Sequence, residues 1–128
     1  MNSGRILIAD DVTENRILLS KILSKLGYEF DVAIDGDDCY NKFTAGNYDL
    51  VFIDIKMPGM DGIEVTKKIR SEMPFPKNRT KIVAITAYKY REFFEDFHDV
   101  GFNDIISKPY TAEKVSNVIN YQKIISTY

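Results

Sequence analysis

Three four-residue runs, Ile6–Ala9, Leu50–Ile53 and Ile82–Ile85, are apolar throughout, and each stops at a polar residue: Asp10, Asp54 and Thr86 respectively. A run of that length without polar alternation reads as a strand buried on both faces. Between the runs the apolar spacing turns helical. Thr13 to Leu26 carries Ile17, Leu18, Ile22, Leu23 and Leu26 near one face, and Gly27 supplies a stop. Strand and helix alternating in this way require a parallel sheet with helices on both faces.

The rest of the chain keeps the alternation. Tyr28 to Ile34 is a second strand, with Phe30, Val32 and Ile34 alternating against Asp31 and Ala33. Asp35-Gly36-Asp37 is a turn and a helix cap, and the helix that follows runs to Ala45 and stops at Gly46. After the Leu50 strand, Pro58, Gly59 and Gly62 impose a loop before a third helix, Ile63 to Glu72, with Ile63, Val65 and Ile69 inward. Met73 to Thr80, with two prolines, is a loop. A fourth helix is expected from Arg91 to Val100, a short strand from Asp104 to Ser107, and a last helix from Ala112 to about Ile125 with Val115, Val118, Ile119 and Gln122 on one side. The 128 residues suit one domain with one core, spanning 1–128.

All strands of a parallel sheet point the same way, so the residues that end them share an edge. Asp10 and Asp11 end the first strand, Asp54 the third, Thr86 the fourth and Lys108 the fifth. In open α/β sheets that edge is where ligands bind. Three carboxylates in one cleft repel by a few kcal/mol per pair, on the order-of-magnitude Coulomb estimate, and so hold either protons or a cation. The oxygens are hard donors, with no histidine or thiolate in the pattern, which favours Mg2+ or Mn2+ over zinc. Asp54 is then placed as a nucleophile towards phosphorus, giving an aspartyl phosphate. Of the three phosphoryl oxygens, the metal takes one, Lys108 a second and the Thr86 hydroxyl a third. Each residue alone also has an ordinary reading: Asp10-Asp11 as a helix cap, Thr86 as a β-branched strand residue, Lys108-Pro109 as a strand stop. Their coincidence on one edge carries the functional reading.

Composition narrows the field. A net charge of −2 marks no polyanion binder, and no apolar run approaches the ~20 residues of a membrane span. A single cysteine, Cys39, allows no internal disulfide, which fits a reducing, cytoplasmic setting.

The set Asp10-Asp11, Asp54-Ile55-Lys56-Met57-Pro58-Gly59-Met60-Asp61-Gly62, Thr86-Ala87 and Lys108-Pro109-Tyr110 resembles the response-regulator receiver domain of two-component and phosphorelay signalling, over about Arg5 to Ile125. The resemblance implies a flavodoxin-like (βα)5 three-layer sandwich with a five-stranded parallel sheet of order 2-1-3-4-5. It implies that Asp54 takes a phosphoryl group from a phosphohistidine on a histidine kinase or phosphotransfer protein. It further implies Mg2+ held by Asp11, Asp54 and the backbone carbonyl of Lys56, with Asp10 acting through water, and a cis Lys108–Pro109 bond with Lys108 directed inwards. Asn15 and the run Gly101-Phe102-Asn103-Asp104 are similar to receivers attached to hybrid histidine kinases.

Two features depart from that pattern. Many receivers carry an aromatic residue three positions before the strand-five lysine, whose rotation reports phosphorylation; here the position holds Ile105. The positions two after Asp54 and two after Thr86 hold the large residues Lys56 and Tyr88, which are expected to hinder the water that hydrolyses an aspartyl phosphate. The fourth-helix region is rich in aromatics: Phe93, Phe97 and Val100 share an inward face, Phe94 lies beside it with an exposed edge suited to a protein partner, and His98 is a solvated helix residue.

The expected function is therefore a phosphoacceptor that relays a signal by protein contact, as a monomer or weak dimer. It catalyses its own phosphorylation and slow dephosphorylation but does not turn over. A phosphatase working through an aspartyl phosphate is the competing reading; haloacid-dehalogenase-like enzymes carry a second Asp where this chain has Lys56, which argues against it. A flavodoxin-like FMN binder needs a phosphate cradle after strand one, where Asp10-Asp11 repel phosphate. A degenerate receiver serving only as a binding module stays open. No DNA-binding module is expected in the residues after the last helix, so the output is expected to be contact with a downstream protein or with another part of a longer chain.

Overall fold

The apolar runs do become the centre of a sheet. The computed structural model describes residues 4–127, with strands β1 Arg5–Ala9, β2 Glu29–Ala33, β3 Leu50–Asp54, β4 Lys81–Thr86 and β5 Asp104–Ser107. Helices α1 Thr13–Lys25, α2 Gly36–Ala45, α3 Gly62–Glu72, α4 Tyr90–Phe97 and α5 Ala112–Thr127 alternate with them. All pairings are parallel and the order is β2-β1-β3-β4-β5. Every residue of β3 is buried, because the strand is central and covered on both faces.

Alternation along the strands divides the core in two. Ile6, Ile8, Phe52, Val83 and Ile85 pack with Leu19, Ile22 and Leu23 of α1 and Val115 and Ile119 of α5. Leu7, Val51, Ile53 and Ile82 face the other way, against Cys39 and Phe43 of α2 and Val65 and Ile69 of α3. A smaller cluster of Ile55, Ala84 and Phe93 extends that second layer beneath α4. Cys39 is fully buried and its thiol is pushed up to about 12 by burial, so it is a packing residue and not a nucleophile. Among the described residues no helix is long and apolar enough to cross a membrane.

Three sequence expectations need correction. On α1 the inward residues are Leu19, Ile22 and Leu23, while Ile17 and Leu18 are 49% and 45% exposed. The helix has more apolar residues than the sheet face can cover, and the 19-22-23 stripe takes it. Strand β2 ends at Ala33, where its register with Ala9 runs out, so Ile34 lies beyond the sheet and is 55% exposed. Helix α4 ends at Phe97 rather than Val100, with the Val100 N–H closing a turn onto the Phe97 carbonyl at 3.1 Å. The remaining expectations hold closely. Asp35 caps α2 by accepting from the Asp38 N–H at 2.8 Å, and Gly27 ends α1 at φ +84°. The Met73–Thr80 loop adds one 3-10 turn, Lys77–Arg79.

The run Gly101-Phe102-Asn103-Asp104 has a structural task. The Arg70 guanidinium of α3 donates to the carbonyls of Gly101, Asn78 and Thr80 and to Asn103 Oδ1, at 2.7 to 3.0 Å. Asn103 Oδ1 also accepts the Ile82 N–H at 2.7 Å. This ties α3 to the entrances of β4 and β5.

At the opposite end of the sheet from the carboxylates, Asp31 accepts from Arg5 through both oxygens at 2.9 Å and from the Tyr48 hydroxyl at 2.7 Å. The Arg5 and Tyr48 hydrogen bonds hold its carboxyl down at about 2, below the ordinary carboxylate range. A carboxyl depressed in the folded state stabilises above its unfolded pKa of about 4, and that stabilisation is lost as pH falls through about 2. Acid titration of stability should therefore be steeper between pH 4 and 2 in the wild type than in Asp31→Asn, by under about 1 kcal/mol because the network lies at the surface. Denaturant melts at those pH values check it; parallel curves would remove Asp31 from the acid response.

Candidate active site at the carboxyl edge of the sheet

The register delivers the site. Ala9 pairs with Ile53 and Asp54 with Ile85, so the residue after β1, the last residue of β3 and the last residue of β4 stand side by side. Thr86 pairs with Ser107, and Lys108 follows directly. The structure thus brings Asp10, Asp11, Asp54, Thr86 and Lys108 to one edge. One carboxylate oxygen from each of Asp10, Asp11 and Asp54 lies within 4.8 Å of the others. Asp10 and Asp54 are 2% and 4% exposed, whereas Asp11 opens to solvent.

Each buried carboxylate has a defined set of donors. Lys108 Nζ donates to Asp54 Oδ2 at 2.8 Å, and the Lys56 N–H donates to Asp54 Oδ1 at 3.1 Å. The Val12 N–H donates to Asp10 Oδ1 at 2.9 Å. Asp10 therefore turns its own loop, and Val12 stands at the N-cap of α1 without a side-chain cap; the helix-cap reading of Asp10-Asp11 does not hold. Burial, the largest influence, pushes the Asp10 carboxyl up, and the Asp54 charge adds to it. The Val12 N–H, the Lys108 ammonium and the Asn15 side chain pull it back. The Thr86 hydroxyl oxygen accepts the Tyr88 N–H at 3.1 Å, and the Lys108 N–H donates to the Thr86 carbonyl at 2.7 Å. The Lys108–Pro109 bond is cis, as the resemblance implies, and a second cis bond joins Phe75 and Pro76.

The loop after β3 is held close by glycine. A Cβ on Gly62 would stand 2.5 Å from the Asp54 carbonyl oxygen and 2.8 Å from Ile55 Cα, both backbone atoms that cannot yield. The Asp61 side chain caps α3 by accepting the Glu64 N–H at 2.9 Å. The loop is thereby closed back on the end of β3.

Around this edge, Lys56 is exposed and Tyr88 half-buried, with the Lys56 ammonium 5.9 Å from the centre of the Tyr88 ring. Ile105 does not reach the carboxylates; it packs with Tyr88, Phe97 and Phe102 against Ile55, Ala84 and Phe93. Phe94 is 57% exposed, and His98 is exposed at the end of α4. Sequence reading missed two contributors and named a third, Tyr110, only within the run Lys108-Pro109-Tyr110. The Val12 and Lys56 N–H groups carry no side-chain signal. Tyr110 has a buried hydroxyl without a hydrogen-bond partner among the described residues, and burial, with the charges of Asp10 and Asp54, pushes it up to about 12. Its place directly after Lys108-Pro109 was the available signal.

Comparison with known proteins gives the family. Residues 6–120 match the response regulator receiver domain family, and the chain belongs to that family. It is 38% identical over 120 residues to hybrid signal transduction histidine kinase L of Dictyostelium discoideum, covering 91% of this chain and 7% of the kinase. It is 36% identical to the transcriptional regulatory protein ResD of Bacillus subtilis, covering 89% of this chain and 45% of ResD. The chain thus spans less than half of either relative. Among solved structures, the response regulator TrrA of Thermotoga maritima superimposes with a TM-score of 0.82 at 34% identity, covering 94% of this chain and 99% of TrrA. The chain is a receiver domain of two-component signalling, a family that in general does not turn over substrate.

Proposed function

We propose that residues 1–128 form a single receiver unit that accepts a phosphoryl group on Asp54 from a phosphohistidine of a histidine kinase or phosphotransfer protein. The observation that carries the reading is the Asp54 carboxylate itself: buried, held by Lys108 and the Lys56 N–H, and beside two further carboxylates. Asp54 attacks phosphorus, an O–P bond forms, the P–N bond breaks, and the imidazole leaves with the electron pair and takes up a proton. Lys108 and the Thr86 hydroxyl face the transferring oxygens as donors.

The hard-oxygen cluster fits Mg2+ or Mn2+. Asp11, Asp54 and the Lys56 carbonyl would hold the ion, with Asp10 acting through water; TrrA was solved in complex with Mg(2+)-BeF. When bound, the ion neutralises charge on the phosphoryl oxygens. The donor must approach the carboxylate edge. Ile17 and Leu18, exposed one to two turns into α1, give a helical partner an apolar footing there. Phe94, exposed on α4, offers a separate surface for a downstream protein. A cytoplasmic setting and a monomer or weak dimer complete the reading.

The test is intact mass after incubation with acetyl phosphate and Mg2+, beside a chelated control. One added phosphoryl group, absent from the control, supports the reading. If neither acetyl phosphate nor a phosphohistidine donor leaves an adduct under fast quenching, the chain is a degenerate receiver used for binding.

Lys56 and Tyr88 flank the acceptor and shield it from hydrolytic water. Lys56→Ala and Tyr88→Ala should each speed loss of the phosphoryl group roughly five-fold, equivalent to about 1 kcal/mol of barrier. Dephosphorylation followed by mass over time reads this directly, and unchanged lifetimes would discard the shield.

A further inference from the structure

Position 105 leaves a gap in how this receiver signals. Ile105 packs inside an aliphatic and aromatic cluster and has no polar atom with which to sense the site. Another residue holds the connections that position 105 lacks. The Tyr88 N–H donates to the Thr86 hydroxyl oxygen at 3.1 Å, and the Lys56 ammonium lies 5.9 Å from the Tyr88 ring centre. The first tether ends on the Thr86 hydroxyl, which would reorient to donate its proton to a phosphoryl group on Asp54, and the second on the Lys56 ammonium, for which that group competes with the ring. Thr86 ends the strand beside Asp54 and can donate its hydroxyl to a phosphoryl oxygen. Lys56 carries a positive charge two residues from Asp54, and a doubly charged phosphoryl group attracts it more strongly than a ring quadrupole does.

On its other side Tyr88 is joined to a continuous row of rings. It stacks on Phe97 at 5.6 Å between centroids and 17° between planes. Phe97 meets Phe93 at 5.2 Å, and Phe93 meets Phe102 at 5.4 Å. Phe93, Phe97, Phe102 and Ile105 line a groove of about 160 Å3 between α4 and β5. The Tyr88 carbonyl also accepts from Ser107 Oγ at 3.1 Å, so a shift of this residue pulls on β5 as well.

We propose that Tyr88, not residue 105, reports occupancy of Asp54, and that it carries the change through Phe97 and Phe93 to Phe102 and the α4–β5 groove. The inference rests on Asp54 being the phosphoacceptor. Rings in direct contact, anchored on the buried Phe93, pass a displacement from one to the next and so into the groove wall.

Amide NMR spectra of the full chain with Mg2+, before and after adding fluoroberyllate as a phosphoryl mimic, test it. In the wild type, signals of Lys56, Thr86 and Tyr88 should move, and so should those of Phe93, Phe97 and Phe102. In Tyr88→Leu, which keeps an apolar side chain but loses the ring, the local shifts should persist while the distal ones fall to about a third or less. Tyr88→Phe should keep them. Distal shifts undiminished in Tyr88→Leu, or absent from the wild type while Lys56 and Thr86 respond, would overturn the relay and leave the acceptor reading intact. No response at Lys56 or Thr86 would sink both.

Discussion

Asp54→Asn is expected to take up no phosphoryl group from acetyl phosphate and Mg2+ under conditions that modify the wild type fully. The acceptor needs an anionic oxygen, and the amide offers a neutral carbonyl with its electron density shared with nitrogen; a rate loss beyond about a thousand-fold follows. The variant should stay folded. Asn has the same shape, and its carbonyl oxygen can still accept from the Lys56 N–H or from Lys108, the two donors now on Asp54. It also removes one of three carboxylates that crowd within 4.8 Å. Metal affinity gives an independent reading. Mg2+ that binds only the folded chain raises stability by about 2.7 kcal/mol at a hundred-fold excess over Kd, and this gain should shrink in Asp54→Asn. An adduct that survives the substitution would move the acceptor to Asp10 or Asp11.

That these residues meet could be read from their order because a parallel sheet turns sequence into an edge. Runs buried on both faces have no polar alternation, so the residue that breaks the run is visible: Asp10, Asp54 and Thr86 each stand where the apolar run ends. Asp10 and Asp54 are themselves buried, which shows that their cost is met by Val12, Lys56 and Lys108 rather than by solvent. The two N–H donors among these left no trace in the sequence, since nearly every residue has one; only the loop geometry aims them. Edge strand β2 was bounded one residue too generously at each end, at Tyr28 and Ile34, because a half-covered strand shades into its turns. The α1 face was misjudged at Ile17 and Leu18 because periodicity counts apolar residues without knowing how wide a face the sheet offers. The staple from Arg70 to Gly101 spans 31 residues, and no local pattern announces it. The same holds for the ring row from Tyr88 to Phe102: its members were visible as aromatics, but their contact depends on where α4 settles.

Lys108→Ala is expected to slow phosphoryl uptake at saturating acetyl phosphate by about a hundred- to a thousand-fold, the usual cost of losing one donor to a developing oxyanion. The ammonium contacts Asp54 Oδ2 at 2.8 Å, with the carboxylate side chain 5% exposed, so it stands where a phosphoryl oxygen arrives. The loss should appear in the maximal rate more than in the donor concentration needed for half-saturation, because the charge matters most as the P–O bond forms. Stability should fall as well, by on the order of 2 kcal/mol without metal, since a buried carboxylate loses its counter-charge beside Asp10. Mg2+ should recover much of that stability, being a cation at the same carboxylates, but little of the rate, because Lys108 and the metal serve different oxygens. Lys108→Arg should recover stability more than rate, its planar fork being a poor replacement for a point charge. If Lys108→Ala lowers stability yet phosphorylates at the wild-type rate, the lysine is a counter-ion of the folded site and takes no part in transfer.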